Sequence, residues 1–211
     1  LDLKYEEIFK KPVIITAGRL TKQKNQKCMI RAFFGVKNRI REAQLVILGN
    51  GELESELKLL AKDLKIEESI HFLGWQKNPF KFLAKAKAFV LSSLWEGLPC
   101  AVLEAMACGL PIISTDCKSG PREIVAPNSK LDLQASDIEY ADYGILTPPF
   151  NEKSKSQEIL TEAIIKILTD KNLSIALGAK SLQRAKDFDA QKIIKKWEFL
   201  EYRNDCSHFY N

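Results

Sequence analysis

The stretch AFVLSSLWEGLPCAVLEAMACGLPIIST, residues 88–115, contains a strand, a polar loop, a helix and a second strand in close succession. Its two ends, Ala88–Leu91 and 111–114, are short runs of apolar and β-branched residues, as in strands buried on both faces. Between them, Pro99 suits the first residue of a helix and Gly109 suits its stop. This order and spacing predict a right-handed parallel βαβ unit.

The same alternation runs through the rest of the chain. Four further apolar runs are predicted to be strands: Val13–Ala17, Gln44–Leu48, 70–73 and 143–146. Helical segments are predicted over 25–40, 52–64, 79–87, 99–108, 121–125, 154–169, 173–186 and 189–201. We therefore predict an α/β fold with a Rossmann-like, doubly wound, six-stranded parallel sheet and helices on both faces.

One segment does not fit the alternation. Residues 126–142 are polar, carry Pro127 and Asn128 early, and show no period of either helix or strand. A loop of that length inside a domain is either a mobile functional flap or disordered. We predict a flexible insertion over 126–142 and leave the two options open.

Composition narrows the classes of function. The chain has 211 residues, 45% of them hydrophobic and 28% charged, which excludes disorder, collagen and coiled coil. No apolar run approaches the ~20 residues of a membrane span, and residues 1–7 do not have the pattern of a signal peptide. The net charge of +5 comes without basic runs interleaved with aromatics, so we expect no nucleic acid partner. An anionic ligand or an anionic membrane surface remains open.

Cysteine usage points to a reducing compartment. The five cysteines are odd in number and form no C-x-x-C pair, which disfavours zinc and a disulfide framework. The pair Asp187 and Asp189 matches an Asp-x-Asp metal pattern, but it stands at the start of the last predicted helix, where Asp is a good N-cap. We therefore predict no metal site and a cytoplasmic location.

The loop after the first strand offers an anion site. Gly18 lets the backbone approach an oxyanion, and Arg19 and Lys24 bring positive charge just ahead of a helix N-terminus. Arginine can hold a diphosphate with two hydrogen bonds, whereas lysine acts as a point charge. The alternative is a solvated basic loop.

The loop after the second strand, Gly49-Asn50-Gly51-Glu52-Leu53-Glu54, resembles the start of a dinucleotide-binding fingerprint. Glu54 stands where that fingerprint needs its third glycine, and the loop follows the second strand rather than the first. A tight strand-to-helix turn is therefore favoured over a dehydrogenase site.

The fourth connection carries two acids around one helix start. The helix over 99–108 is apolar on all sides except at Glu104, so we predict that it is buried and that Glu104 has a partner: an arginine, backbone amides or ligand hydroxyls. Glu96 precedes the same helix, and the amides near Cys100 to Val102 would lie between the two acids and could hold phosphate. Two hydroxyl acceptors beside an anion slot suit a sugar nucleotide. The alternatives are an acid that complements a helix dipole, for Glu96, and a structural ion pair, for Glu104.

These motifs together resemble the group 1 (family 4) retaining glycosyltransferases. The resemblance rests on Gly18-Arg19-Leu20 with Lys24, on Glu96-Gly97-Leu98-Pro99 with the stretch 104–111, and on the stretch 119–124. It extends from about residue 11 to about residue 201 and implies the C-terminal, donor-binding lobe of the two-lobed GT-B architecture. The polar segment 126–142 departs from the family pattern, which has a shorter link there.

The resemblance implies a role for each motif residue. Arg19, Lys24 and Glu96 would be catalytic, the two cations by binding the diphosphate and Glu96 by accepting hydrogen bonds from donor-sugar hydroxyls. Glu104 would hold the ribose hydroxyls, and the base would rest by backbone contacts and packing near Trp75, Gln76 and Asn78. The other implied donor-binding residues are Gly18, Gly97, Leu98, Pro99, Cys100 and Val102.

The resemblance also implies the organisation and the reaction. Residues 1–11 would be an interdomain connection, 12–201 the nucleotide-sugar-binding lobe and 202–211 a tail, with the N-terminal acceptor lobe absent. The expected reaction moves a hexose or N-acetylhexosamine from a UDP-sugar or other nucleoside diphosphate sugar to a glycan or lipid-linked acceptor, with retention and without metal or cofactor. The expected location is cytoplasmic, with peripheral attachment to the inner membrane face left open. The isolated lobe is expected to be inactive.

Two alternatives of other kinds remain. One is a nucleotide-sugar-binding module without transfer activity. The other is a different reaction on the GT-B fold, by an epimerase or a phosphorylase.

Overall fold

The computed structural model describes residues 3–151 and 155–203, and its strands form one sheet. They are β1 (Val13–Ala17), β2 (Gln44–Leu48), β3 (Ile70–Gly74), β4 (Ala88–Leu91), β5 (Ile112–Thr115), β6 (Glu139–Ala141) and β7 (Gly144–Thr147). Their order in the sheet is β3-β2-β1-β4-β5-β7-β6. From β1 the chain adds β2 and β3 on one side of the sheet and then returns to add β4 and β5 on the other side. The boundary between β1 and β4 is therefore the switch point of a doubly wound sheet.

Helices cover both faces of the sheet. They are α1 (Leu3–Phe9), α2 (Gln26–Arg39), α3 (Glu54–Asp63), α4 (Phe80–Leu83), α5 (Cys100–Ala107), α6 (Gly120–Val125), α7 (Ser156–Thr169), α8 (Lys171–Ala185) and α9 (Ala190–Arg203). Buried side chains of α2, α3 and α7 pack on one face, and those of α4, α5 and α6 pack on the other. In β1, Ile14 belongs to the first core, whereas Val13 and Ile15 belong to the second. The central strands are therefore buried on both faces, which explains their continuous apolar runs.

The six predicted strands are confirmed, and all of them pair in parallel. The seventh, β6, lies in the segment that the sequence predicts to be a loop. It pairs antiparallel with β7, with Tyr140 opposite Ile145. The sequence pattern does not reveal β6, because its three residues show no apolar alternation.

A buried ion pair joins the segment 126–142 to the sheet. The Arg122 guanidinium, 2% exposed, binds the carboxylate of Asp116 at the end of β5 and that of Glu139 in β6. It also donates to the Ser129 hydroxyl at 2.9 Å, and the Ala135 amide donates to Asp116 at 2.6 Å. The segment is therefore fastened over the carboxyl end of β5 at several points along its length.

Several predicted bounds differ from the structure. The helix predicted over 79–87 is only the single turn of α4, because residues 84–87 turn back into β4. α5 begins at Cys100, and Pro99 is its N-cap with extended backbone rather than its first residue. The predicted connection over 1–11 contains α1. Residues 1–2, 154 and, of the predicted tail, 204–211 lie outside the described residues.

Candidate functional site

Two loops at the carboxyl end of the sheet are tied to each other. They follow β1 and β4, the two strands on either side of the switch point. The Gln23 side chain donates to the Trp95 carbonyl at 2.9 Å, and the Leu94 amide donates to the Gln23 carbonyl at 2.8 Å. The Ser92 hydroxyl donates to the Lys24 carbonyl at 3.0 Å. These contacts hold the loop of Arg19 and Lys24 against the loop of Glu96.

The junction of the two loops holds a charged pair. The Lys24 ammonium lies 2.6 Å from Oε1 of Glu96, and the Ser93 hydroxyl donates to the same oxygen at 2.6 Å. Ser93 is fully buried and Glu96 is 9% exposed, so the pair is largely withdrawn from water. A charge in that setting needs hydrogen bonds as well as an opposite charge, and Glu96 has both.

The backbone of Glu96 is fixed from the other side by the loop after β5. The Glu96 amide donates to the Lys118 carbonyl at 2.9 Å, and its carbonyl accepts from the Ser119 amide at 2.8 Å. A Cβ on Gly120 would lie 1.7 Å from the Gly97 carbonyl oxygen, so only glycine permits this approach. The stretch 119–124, to which the sequence assigns no separate function, thus positions the Glu96 loop.

The start of α5 leaves backbone amides open. Within the described residues, the amides of Gly97, Leu98, Cys100 and Ala101 make no hydrogen bond. They stand at the positive end of the helix dipole, next to the Glu96 loop. The side chain of Leu98 is 52% exposed and that of Cys100 is exposed as well, so this end of the helix faces solvent.

Val102 does not belong to this group, contrary to the expectation from sequence. Its amide donates to the Pro99 carbonyl at 2.9 Å and its side chain is fully buried in the core. The prediction that α5 is buried on all sides is also wrong, since Ala107 is exposed and Glu104 is half-buried. Ala101 and Leu103 of α5 are partly buried against the core, and α5 also packs against α8.

A cavity of about 640 Å³ lies next to the loop after β1. Lys24 and Glu96 are not among its lining residues, but the Lys24 side chain packs against Gly18, which lines it. Arg19 and Glu104 both line it, together with the predicted residues Gly18, Trp75 and Gln76. Asn50, Lys77 and Pro79 also line it, and the sequence predicts no ligand for them. Predicted residues from the loop after β1, the loop after β3 and the helix α5 thus meet around one opening.

Glu104 is the acid of this cavity. Within the described residues its carboxylate has no hydrogen-bond or ion-pair partner, and burial raises its pKa. The sequence predicts that the partner of Glu104 is an arginine, backbone amides or ligand hydroxyls. Because no arginine or amide of the described residues bonds to it, ligand hydroxyls are the option that is left. A half-buried carboxylate without a partner is a candidate to accept hydrogen bonds from a bound molecule.

The far wall of the cavity is the end of β3. Trp75 is 70% exposed, and its amide donates to Oδ1 of Asn50 at 2.9 Å. The Gln76 side chain donates to the Leu73 carbonyl at 2.6 Å. Asn78, predicted with these two, does not line the cavity; its Oδ1 accepts from the Phe80 amide at 3.1 Å, in the turn just before α4.

Glycines bring the backbones of the first two loops into contact. A Cβ on Gly49, which has φ +129°, would lie 2.0 Å from the Gly18 carbonyl oxygen, and one on Gly51 would lie 2.3 Å from the Leu20 carbonyl oxygen. The stretch 49–54 therefore forms a tight turn packed on the β1 loop.

The Asp-x-Asp pair is part of a helix cap. Oδ1 of Asp189 accepts from the Gln191 amide at 3.0 Å, and Asp187 lies 3.0 Å from Arg184. Among residues 3–151 and 155–203, no three His, Cys, Asp or Glu side chains are grouped so as to hold a metal ion. No helix in that part of the chain has both the length and the apolar character needed to cross a membrane.

Comparison with known proteins gives a family match. Residues 4–184 match the model described as glycosyl transferases group 1. The chain is 45% identical over 212 residues to an uncharacterized glycosyltransferase of Methanocaldococcus jannaschii, covering 95% of this chain and 52% of that protein. It is 36% identical over 182 residues to the N-acetylgalactosamine-N,N'-diacetylbacillosaminyl-diphospho-undecaprenol 4-alpha-N-acetylgalactosaminyltransferase of Campylobacter jejuni, covering 86% of this chain and 44% of that one.

Solved structures have the same fold. The pneumococcal O-GlcNAc transferase GtfA in complex with UDP and GlcNAc superposes with a TM-score of 0.76 at 23% identity, over 89% of this chain and 35% of that one. The chain spans about half the length of the curated relatives it matches.

Proposed function

Because this chain belongs to the group 1 glycosyltransferases, we propose that it is the donor-binding half of an enzyme that transfers a sugar from a nucleoside diphosphate sugar. The observation that carries the proposal is the meeting of Lys24 and Glu96 beside the open amides at the start of α5, next to a cavity that contains Arg19 and Glu104. The first candidate donor is a UDP-sugar.

The diphosphate would be held by the cations and by the helix start. Arg19 can bind a phosphate with two hydrogen bonds, and the unpaired amides from Gly97 to Ala101 supply further donors. Lys24 adds a positive charge at the junction of the two loops. The negative charge that develops as the nucleoside diphosphate leaves would be stabilised by groups already in place, without a metal ion.

The donor sugar would lie against Glu96. Its carboxylate keeps one oxygen bonded to Lys24 and Ser93, and the other oxygen makes no hydrogen bond within the described residues. That second oxygen can accept a hydrogen bond from a sugar hydroxyl. Glu96 would then fix the orientation of the sugar relative to the bond that breaks.

The nucleoside would occupy the cavity. Glu104 can accept hydrogen bonds from the two ribose hydroxyls, which would give its carboxylate the partners that the described residues do not supply. The base would then lie towards Trp75 and Gln76, which line the same cavity.

Transfer also needs an acceptor. We propose that the acceptor is a glycan or a lipid-linked saccharide held by a second lobe, as suits a chain that spans about half of its relatives. The Campylobacter jejuni relative, named for an acceptor on diphospho-undecaprenol, supports the lipid-linked option. The same proposal includes retention of the sugar's anomeric configuration, a cytoplasmic location and attachment to the inner membrane face.

Calorimetry with the 211-residue chain tests the donor site. We expect UDP to bind, and UDP-glucose, UDP-galactose and their N-acetyl derivatives to bind according to the sugar preference of the enzyme. Addition of EDTA should leave the affinity unchanged. Absence of binding for UDP, ADP and GDP alike would contradict the proposal.

A second measurement separates transfer from binding alone. The isolated chain should bind donor without transferring sugar, and joining it to its N-terminal half should produce transfer to saccharide acceptors. Phosphorolysis or epimerisation of the donor by the joined protein would instead support a different reaction on the same fold.

A further inference from the structure

The hydroxyl of Ser93 is a feature of the site for which the sequence analysis assigns no role. It donates to Oε1 of Glu96 at 2.6 Å and makes no other hydrogen bond within the described residues. Ser93 is fully buried, so water does not compete for the hydroxyl. Its own carbonyl accepts from the Thr115 hydroxyl at 2.7 Å, which fixes Ser93 to the neighbouring strand β5.

Ser93 and Lys24 together occupy one oxygen of the carboxylate. Both donors lie 2.6 Å from Oε1, within the range of short, charge-assisted hydrogen bonds. Among the described residues, Oε2 of Glu96 has no partner, and it is not among their fully buried unpaired atoms, which are Asn25 Nδ2, Gln26 Oε1 and Thr147 Oγ1. Oε2 is therefore open to a ligand.

Lys24 and Ser93 differ in how firmly each can hold the orientation of the Glu96 carboxylate. The Lys24 ammonium sits on a flexible stem and follows the carboxylate as it rotates, because three equivalent N–H donors fit many geometries. The Ser93 hydroxyl sits on a short side chain, and the Ser93 backbone follows β4 by two residues and is tied to β5 through the Thr115 hydroxyl. The direction in which Oε2 points is thus determined mainly by Ser93.

Resting on the function proposed above, we propose that Ser93 is a positioning residue for the donor sugar: its hydroxyl holds Oε1 of Glu96 and so aims Oε2 at a sugar hydroxyl. Ser93 itself touches neither sugar nor phosphate. The loop has its own backbone bonds, from the Leu94 and Glu96 amides to the carbonyls of Gln23 and Lys118, so it does not depend on the hydroxyl for its fold.

The test compares Ser93→Ala with Ser114→Ala in the 211-residue chain. Ser114 is an equally buried serine one strand away, and its hydroxyl donates to a backbone carbonyl rather than to Glu96. The measured quantities are the dissociation constants of UDP and of UDP-glucose, UDP-galactose, UDP-GlcNAc and UDP-GalNAc by calorimetry. For S93A we expect UDP affinity within about twofold of wild type and affinity for the best UDP-sugar about 10- to 100-fold lower, the loss expected for a hydrogen bond to a charged group.

A double variant checks that Ser93 acts through Glu96. Adding S93A to Glu96→Gln should cause no further loss of UDP-sugar affinity, because the carboxylate that Ser93 orients is already gone. Additive losses would overturn the proposal. So would an S93A variant that resembles S114A, or one that loses UDP and UDP-sugar affinity equally, since the hydroxyl would then be a structural element of the loop.

The same measurements distinguish the two proposals. Wild-type chain that binds no UDP overturns the donor-site function and the role of Ser93 together. Wild-type chain that binds UDP-sugar normally, with S93A unchanged, overturns the role of Ser93 alone.

Discussion

Lys24 and Glu96 are seventy-two positions apart in the chain, yet the ammonium of one lies 2.6 Å from a carboxylate oxygen of the other. The contact exists because β1 and β4 are neighbours in the sheet, so the loops that follow them emerge side by side. Under the proposed function, this contact fixes a cation for the leaving group and an acceptor for the sugar relative to each other before a donor binds.

Replacement of Glu96 should separate transfer from folding. In the enzyme that carries both lobes, Glu96→Gln keeps the shape of the side chain but removes the negative charge, and we expect sugar transfer to fall by about 10²-fold or more. The matched control is Glu123→Gln, on an exposed glutamate of α6. Initial rates with a radiolabelled donor and thermal melting of both variants give the answer; unaltered turnover in E96Q would remove Glu96 from the site.

Replacement of Glu104 should affect the nucleoside and spare the phosphates. In Glu104→Ala, UDP loses an acceptor for its ribose hydroxyls, and we expect its affinity to fall about 10-fold or more. Inorganic diphosphate does not reach that carboxylate, so its affinity should change little. Calorimetric titration of both ligands makes the comparison, and equal losses would contradict the assignment of Glu104 to ribose.

Glu104 also predicts a pH dependence of stability. Burial raises its pKa above the usual value of 4.5, so folding disfavours the ionised form. The unfolded chain releases this proton more readily, and the wild type therefore loses stability relative to Glu104→Gln as pH rises through the interval above 4.5. At neutral pH we expect E104Q to melt about 1–2 °C higher, and at pH 4 the two proteins to melt together. A Tm difference that does not vary with pH would contradict this account.

Arg122 should be a major contributor to stability. Arg122→Met leaves the carboxylate of Asp116, 2% exposed, without its cation, and we expect the free energy of unfolding to fall by about 3–5 kcal/mol. The control is Arg39→Met, which breaks an exposed pair with Glu162 and should cost at most about 1 kcal/mol. Urea denaturation measures both, and similar losses in the two variants would contradict the role of the buried network.

Two glycines of the site should respond differently to alanine. A Cβ on Gly120 collides with the Gly97 carbonyl, so Gly120→Ala should lower the free energy of unfolding by about 1–3 kcal/mol and displace the Glu96 loop. A Cβ on Gly97 meets nothing within 4 Å, so Gly97→Ala should fold normally and weaken donor binding by filling the space beside the amides. Melting and UDP-sugar titration of both variants test this; destabilisation by G97A equal to that by G120A would be the contrary result.

The parallel sheet could be predicted from sequence because each of its strands is a local signal. Runs such as Val13–Ala17 and Gln44–Leu48 are apolar on both faces, and no partner is needed to recognise them. β6 could not be predicted in this way. Its three residues show no apolar alternation, and it is held by its pairing with β7 and by the ion pair between Glu139 and Arg122.

The sequence predicts which residues belong to the candidate site better than it predicts which groups each of them contacts. The motifs identify Glu96 and Glu104 as the two acids of one helix start, but which groups surround each of them depends on strand order. Thus Glu96 meets Lys24 from the loop of the neighbouring strand β1, and Glu104 lines the same cavity as Arg19. Val102 was misassigned because sequence spacing does not show that Pro99 is a cap, whose carbonyl accepts the Val102 amide.

The antiparallel pairing of β6 with β7 has a consequence for solubility. β7 is buried along its whole length and, without β6, would present an unpaired row of backbone groups to other molecules. Such a row is a template for intermolecular strand addition and aggregation. The three residues of β6 cover it and offer only a short edge of their own, so we expect the segment 126–142 to limit strand addition between molecules at this side of the sheet.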